Sequence, residues 1–353
     1  MNKLKTIGLS ALAGSMVLTS ANAVDYTVTG DAAMSYAGES SNTSIGGEGI
    51  SLDTTIYLNA AGSLDNGWDV GFVLNFDNAA GAVTNTSTQG AVTLGSMGTV
   101  QINQIGGSAV NAIDDVTPSA WEEVYGMGTL STGTATNLAG GDAGFFGSSV
   151  NSGSIQYTTP AIETAGATVS ASIVFDPNAN VGTTAHKGKN GGETGMGYVL
   201  KIDHESGLSI GAGMEQIDSN KDTGTAVGRE SNDETGTTVY AKYAYGPVAV
   251  GAQQSYQDTL DGGRDLEATM YSIAYTSGDV SVSYGETETT TLGVGIVGPQ
   301  TTDGDALAVS YTMGSMTIQV QRSEQVRGTK ATPTSAAVNT TLDETGIKVG
   351  FAF

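Results

Sequence analysis

From Val24 onward, apolar and polar residues alternate with a period of two in segment after segment. That period belongs to a strand with unlike surroundings on its two faces, and a helix cannot accommodate it. Val70, Phe72, Leu74 and Phe76 share one face of such a segment. Val169, Ala171, Ile173 and Phe175 share another, and Ile347, Val349, Phe351 and Phe353 a third. Leu208, Ile210, Ala212 and Met214 face one way while Ser209, Gly211, Gly213 and Glu215 face the other. Sixteen segments follow this rule, the first near 26–36 and the last near 341–353. Their connections alternate as well. Short turns fall at Leu64–Gly67, Ser96–Gly98, Pro160–Glu163, Glu205–Gly207, Gly246–Pro247, Ser277–Asp279 and Gly314–Ser315. Between them lie longer polar links at 37–47, 78–88, 107–150, 177–193, 219–234, 259–264, 289–303 and 327–340. All six prolines fall in or beside connections, where no ladder hydrogen bond is lost.

Short turns at one end and long links at the other describe an up-and-down barrel rather than a sandwich. At sixteen strands the interior is too wide for side chains to fill. An apolar inner face would line an empty hole, so the apolar face points outward to lipid and the polar face lines water. Closure satisfies every strand edge, as hydrocarbon requires. The expected fold is therefore all-β, a 16-stranded antiparallel transmembrane β-barrel. Tyr26, Tyr36, Trp68, Phe76, Tyr157, Phe175, Tyr198, Tyr243, Tyr245, Tyr271, Tyr275, Tyr284 and Tyr311 stand near strand ends, as interfacial girdles do.

Composition removes the competing classes. The chain has no Cys, which excludes disulfide scaffolds, thiolate metal sites and thiol nucleophiles. Its net charge of −23 argues against a nucleic-acid partner. His186 and His204 have no evident catalytic partner, so no enzyme is expected. Lys3 and Lys5, the apolar run Ile7–Val17 and Ala21-Asn22-Ala23 read as a cleaved export signal over 1–23, with the barrel at 24–353.

Strand parity places Asp31, Asp53, Asp69, Lys201, Lys242 and Lys348 on the lumen wall. Between Val24 and His186 there is no Lys or Arg, so this lumen should favour cations. Arg322 has lipid-face parity. It snorkels, sits between subunits, or marks a bulge that shifts the register. Asp218–Gly224 resembles the start of a calcium loop, but its Gly is one place late and no bidentate Glu follows. No resident cofactor or metal is expected beyond Ca2+ or Mg2+ held loosely among acidic loops, which suits contact with lipopolysaccharide.

The signal, the sixteen strands, the alternating turns and the final Val349-Gly350-Phe351-Ala352-Phe353 together resemble a Gram-negative general porin, in composition and acidity more like those of alphaproteobacteria than the enteric ones. The resemblance covers the whole mature chain. It implies a water-filled outer-membrane channel for passive diffusion of small hydrophilic solutes and ions. It also implies a homotrimer in outer-membrane lipid, and a terminal strand whose Phe351 and Phe353 are read by the barrel-assembly machinery. The link 107–150 occupies the place of the family's inward-folded constriction loop. On that reading Asp114, Asp115, Glu122 and Glu123 line the constriction, and Thr117-Pro118 opens a short helix. The alternative for the link is an outward, solvated acidic loop. The sequence departs from the enteric pattern, which sets loop carboxylates against Arg and Lys on the early strands. The alternative for the whole chain is a non-channel structural or adhesive surface protein, although no repeat of 20–50 residues supports a solenoid.

Overall fold

The computed structural model describes residues 25–41, 47–79, 82–113, 116–121, 150–179, 193–218, 234–258, 264–293, 300–329 and 338–353. The export segment 1–23 lies outside them. A single antiparallel sheet runs through the described chain. Its first strands are β1 (Asp25–Ser41), β2 (Gly47–Ser63), β3 (Asp69–Ala79), β4 (Ala82–Thr93), β5 (Thr99–Ile105) and β6 (Ser154–Thr158). Then come β7 (Ile162–Thr164), β8 (Ala167–Ala179), β9 (Glu193–His204), β10 (Leu208–Asp218), β11 (Glu234–Tyr245) and β12 (Val248–Asp258). It ends with β13 (Arg264–Ser277), β14 (Val280–Gly293), β15 (Gln300–Met313), β16 (Met316–Thr329) and β17 (Val338–Ala352). β6 and β7 both pair with β8, so they are two halves of one strand interrupted at Pro160. The barrel therefore has sixteen staves, as the alternation predicts.

Closure is direct. β1 pairs with β2 on one side and β17 on the other. At the base of that seam Gly30 N donates to Phe353 O at 2.7 Å, and Phe353 N donates to Gly30 O at 2.8 Å. A side chain on Gly30 would meet the Phe353 ring at 3.0 Å, so this glycine makes room for the terminal aromatic.

Three local expectations need correction. The link predicted at 78–88 is mostly strand, because β4 already begins at Ala82. Its polar Thr-Asn-Thr-Ser-Thr run is rich in β-branched residues and suits a pleated surface outside the hydrocarbon. The links expected at 37–47, 289–303 and 327–340 are likewise shorter than their polarity indicates, since Thr-rich strands such as β14 extend beyond the apolar band. The turn expected at Pro160–Glu163 lies instead at Ala165-Gly166, with φ of 48° and 79°. Two successive positive φ values make the primed hairpin turn that matches strand twist. Pro160 marks the interruption of the stave and not its end.

The outer surface carries the apolar face. Ile50, Leu52, Phe72, Ile102, Ile173, Leu200, Ile273, Leu307, Val309 and Ile347 are all exposed. Tyr243, Tyr245, Tyr275 and Tyr311 lie within three residues of short turns. At the long-link side the outward positions of β13–β17 change from apolar to acidic at Glu267, Glu286, Glu288, Asp303, Asp305, Glu324 and Asp343. Arg322 sits in this collar with outward parity, 3.2 Å from Asp343, and no register shift interrupts β16. Of its three readings, the bulge is thus removed.

If this face assignment holds, Ile273→Arg or Val309→Arg should each cost about 2–4 kcal/mol in equilibrium unfolding from lipid vesicles. Asn59→Arg, on the inner face of β2, should stay within about 0.5 kcal/mol. Equal losses at both faces would overturn it.

Candidate functional site

At the exit of β5 the chain turns into the barrel. Gly106 and Gly107 have φ of 63° and 87°, two left-handed steps that redirect the backbone without a Cβ clash. A side chain on Gly107 would overlap the Gln89 amide at 1.8 Å. From there the segment hugs the inner wall. Gly106 N donates to Ser152 Oγ at 3.1 Å, Ser108 N to Asn151 Oδ1 at 3.2 Å, and Ala109 N to Gln156 Oε1 at 2.7 Å. A single 3-10 turn follows at Asn111–Ile113.

Val110 and Ile113, with Val150 from the returning chain, are fully buried against Val174, Val199 and Tyr240. Those three wall residues stand on the inner faces of β8, β9 and β11, where the barrel otherwise places polar groups. Glycines deepen the seat. A Cβ on Gly197 would lie 2.4 Å from Val110 Cγ2, and one on Gly195 would lie 2.5 Å from Val150 Cγ1.

The next described stretch, 116–121, continues across the barrel. Val116 N donates to Gln253 Oε1 at 3.3 Å, and Pro118 Cδ fills the notch above Gly251. Ala120 N donates to Ser283 Oγ at 2.8 Å, and Gln319 Nε2 donates to Ala120 O at 3.2 Å. Trp121 reaches Lys348, whose Nζ is 5.2 Å from the ring centroid. These partners lie on β12, β14, β16 and β17. Pro118 to Trp121 is not helical, so the helix expected to open at Thr117-Pro118 is absent from the described residues. Thr117 does not cap a turn there; the backbone is instead satisfied by wall side chains.

The described residues of this segment make no contact with the inner face of the early strands β1–β3. Asp31 and Asp77 flank Thr55 in one row across β1, β2 and β3. Tyr57 donates to Asp31 Oδ2 at 2.6 Å. Asp53, one step along β2, contacts the Asp77 carboxyl. Asp69 is apart from this group, at the short-turn rim, where Ser63 Oγ donates to it at 2.6 Å. Lys201, Lys242 and Lys348 all have inner-face parity; Lys201 and Lys242 stand on β9 and β11, across the barrel, whereas Lys348 stands on β17, opposite Ser35 of β1. Lys201 borders a recess of about 270 Å³ with Ser108, Ala109, Gln156 and Ser172. Lys242 stands beside Gly251 under Pro118.

Asp114, Asp115, Glu122 and Glu123 lie outside the described residues. Asp77 was not among the residues expected on the wall, although its parity with Phe72, Leu74 and Phe76 turned outward was sufficient to place it there. The apolar seat also had a signal: Val174, Val199 and Tyr240 are apolar at lumen positions of a barrel that should be wet inside.

Among the described residues no group of three or more His, Asp or Glu has the geometry of a metal site. Most of the calcium-like stretch Asp218–Gly224 lies outside them. His204 is a turn residue whose Nδ1 accepts from Ser206 N at 3.1 Å.

A sequence profile described as Gram-negative porin matches residues 8–317. No curated protein sequence matches the chain. Among solved structures, the trimer form of in-vitro folded OmpT of Vibrio cholerae is similar, with a TM-score of 0.60 at 13% identity over 93% of this chain and 99% of that one. Salmonella typhi OmpF, solved in complex with daunomycin, gives 0.62 at 12% identity over 94% and 98%. The outer-membrane channel DcaP of Acinetobacter baumannii gives 0.65 at 11% identity over 94% and 97%.

Because the chain has no native Cys, the inward course can be read chemically. The 2.8 Å contact from Ala120 N to Ser283 Oγ brings these residues within disulfide range. Ala120→Cys with Ser283→Cys should cross-link on mild oxidation, seen as a gel mobility shift. Ala120→Cys with Asp31→Cys should not. Free thiols in the first pair would place the segment elsewhere.

Proposed function

The chain belongs to the Gram-negative porin family, outer-membrane channels rather than enzymes, and we propose that its channel is passive and prefers cations. The observation that carries this reading is the acidic patch on the early strands. Asp31, Asp53 and Asp77 share one patch of the inner face, and no Lys or Arg occurs from Val24 to Ala185. The segment that packs on the opposite wall leads into Asp114, Asp115, Glu122 and Glu123. On this proposal 107–150 is the constriction loop, and the permeating ion passes between two sets of carboxylates. A unit charge about 7 Å away contributes roughly 0.6 kcal/mol in water, and several such charges add. Salt screens them over about 8 Å at physiological ionic strength, so the preference should weaken as salt rises.

The remaining parts of the reading follow from position. Residues 1–23 serve as the export signal. OmpT of Vibrio cholerae, similar in fold, has a trimer form, which supports a homotrimer here. The collar at Glu286, Asp305 and Asp343 lies directly above the apolar band, at the height of outer-leaflet headgroups. Like charge there requires divalent cations to bridge carboxylates to lipopolysaccharide phosphates. Small hydrophilic solutes and ions are the permeants.

The test is the reversal potential in planar bilayers under a salt gradient. Wild-type protein should favour K+ over Cl− by roughly fivefold or more at 0.1 M salt, falling toward parity at 1 M. Asp31→Asn, Asp53→Asn and Asp77→Asn together should lower that preference. So should Asp114→Asn, Asp115→Asn, Glu122→Gln and Glu123→Gln together. An unchanged potential in the second set would remove the loop carboxylates from the constriction and leave the wall. Anion preference in the wild type would sink the proposal.

A further inference from the structure

The two ends of the inward segment's described course are fastened in different ways. Near its start, Val110, Ile113 and Val150 are sealed in an apolar seat on β8, β9 and β11. At the far end of its described course the fastening is polar and small. It consists of Ser283 and Gln319 on the two backbone groups of Ala120, and Lys348 beneath the Trp121 ring. Lys348 is half-buried and stands on β17, next to the seam where the barrel closes.

We infer that Lys348 and Trp121 are positioning residues: together they latch the far end of the inward segment to the wall and so hold the aperture at one size. The inference rests on the channel reading above. An ammonium over an indole face is attracted by the ring quadrupole, and the attraction grows as water is excluded. Lys348 then acts through Trp121, and its charge is engaged by the segment instead of facing the ions that pass. Trp121 is followed directly by Glu122 and Glu123, so whatever fixes its ring also fixes where those carboxylates begin. The apolar seat is remote from Trp121, at the root where Val110 and Val150 meet, and its side chains are inaccessible to water. When the strap loosens, it loosens at the latch.

The experiment is single-channel recording of the full-length exported protein in planar bilayers. The variants are Lys348→Met, Trp121→Leu, both together, and the conservative Lys348→Arg and Trp121→Phe. Each disruptive single change should raise the probability of brief closures and sublevels by about tenfold, the loss expected for one desolvated cation–π contact. The double variant should be no noisier than either single one, since both break the same contact. Lys348→Arg and Trp121→Phe keep a cation and a ring, and should restore quiet current. A quiet Lys348→Met channel with a shifted reversal potential would make Lys348 a lumen charge and overturn the latch. Additive noise in the double variant would overturn the pairing. If Lys348→Met fails to give heat-modifiable, folded protein, Gln319→Leu carries the test. It removes the neighbouring bond to Ala120 O, should flicker in the same way, and overturns the latch if quiet. Absence of conductance from folded, inserted wild-type protein would instead sink the channel reading itself.

Discussion

Everything in this molecule depends on the backbone ladder between its first and last strands. In hydrocarbon an unpaired N–H or C=O costs several kcal/mol, so a sheet that enters a membrane must have no edge. The pairing of β1 with β17, finished by the two bonds between Gly30 and Phe353, removes the last edge. Once closure is obligatory, every stave has one face toward lipid and one toward the interior. The period of two then follows from the two solvents. The apolar exposure of Ile273, Leu307 and Ile347, a fault in a soluble protein, is the stable arrangement here.

Closure creates the second problem. Sixteen staves enclose more space than their own side chains fill. The chain answers with one segment that enters the barrel, and the wall is cut to receive it. Gly195, Gly197 and Gly251 remove side chains where Val150, Val110 and Pro118 must fit. Val174, Val199 and Tyr240 supply a dry patch on the inner wall. Gln156, Gln253, Ser283 and Gln319 satisfy backbone groups that would be orphaned along a strap with no regular structure of its own. The inner wall of β8–β17 is thus a docking surface for the described part of the protein's own inward segment.

How much of this the sequence disclosed depends on whether the signal was local. Strand parity is local, and it placed Asp31, Asp53 and the three lysines on the inner face without a structure. It placed Asp77 equally well, since Phe76 beside it points outward. Loop lengths were overestimated where Thr and Ser run through strands that rise beyond the apolar band, because polarity on both faces hides the alternation. Pro160 was mistaken for a turn because it breaks a ladder in either case; the positive φ at Ala165, a residue with no preference for it, left no trace in sequence. The expected helix at Thr117-Pro118 failed for a different reason. Capping chemistry permits a helix start but does not compel one, and here Ser283 and Gln319, more than 160 residues away, bind the same backbone groups.

The placement of charge ties the two walls together. All three inner-face lysines lie on strands that the inward segment covers: Lys201 at its root, Lys242 under Pro118 and Lys348 under Trp121. The carboxylates of Asp31, Asp53 and Asp77 lie on strands that its described residues do not contact. Moving a lysine from the covered wall to the open one would change two things at once. It would neutralise the acidic face that the proposed ion path follows, and it would withdraw a contact that holds the strap. On the proposed reading selectivity and aperture are coupled, since Lys242 and Lys348 touch the strap while Asp31, Asp53 and Asp77 share one patch of the early strands.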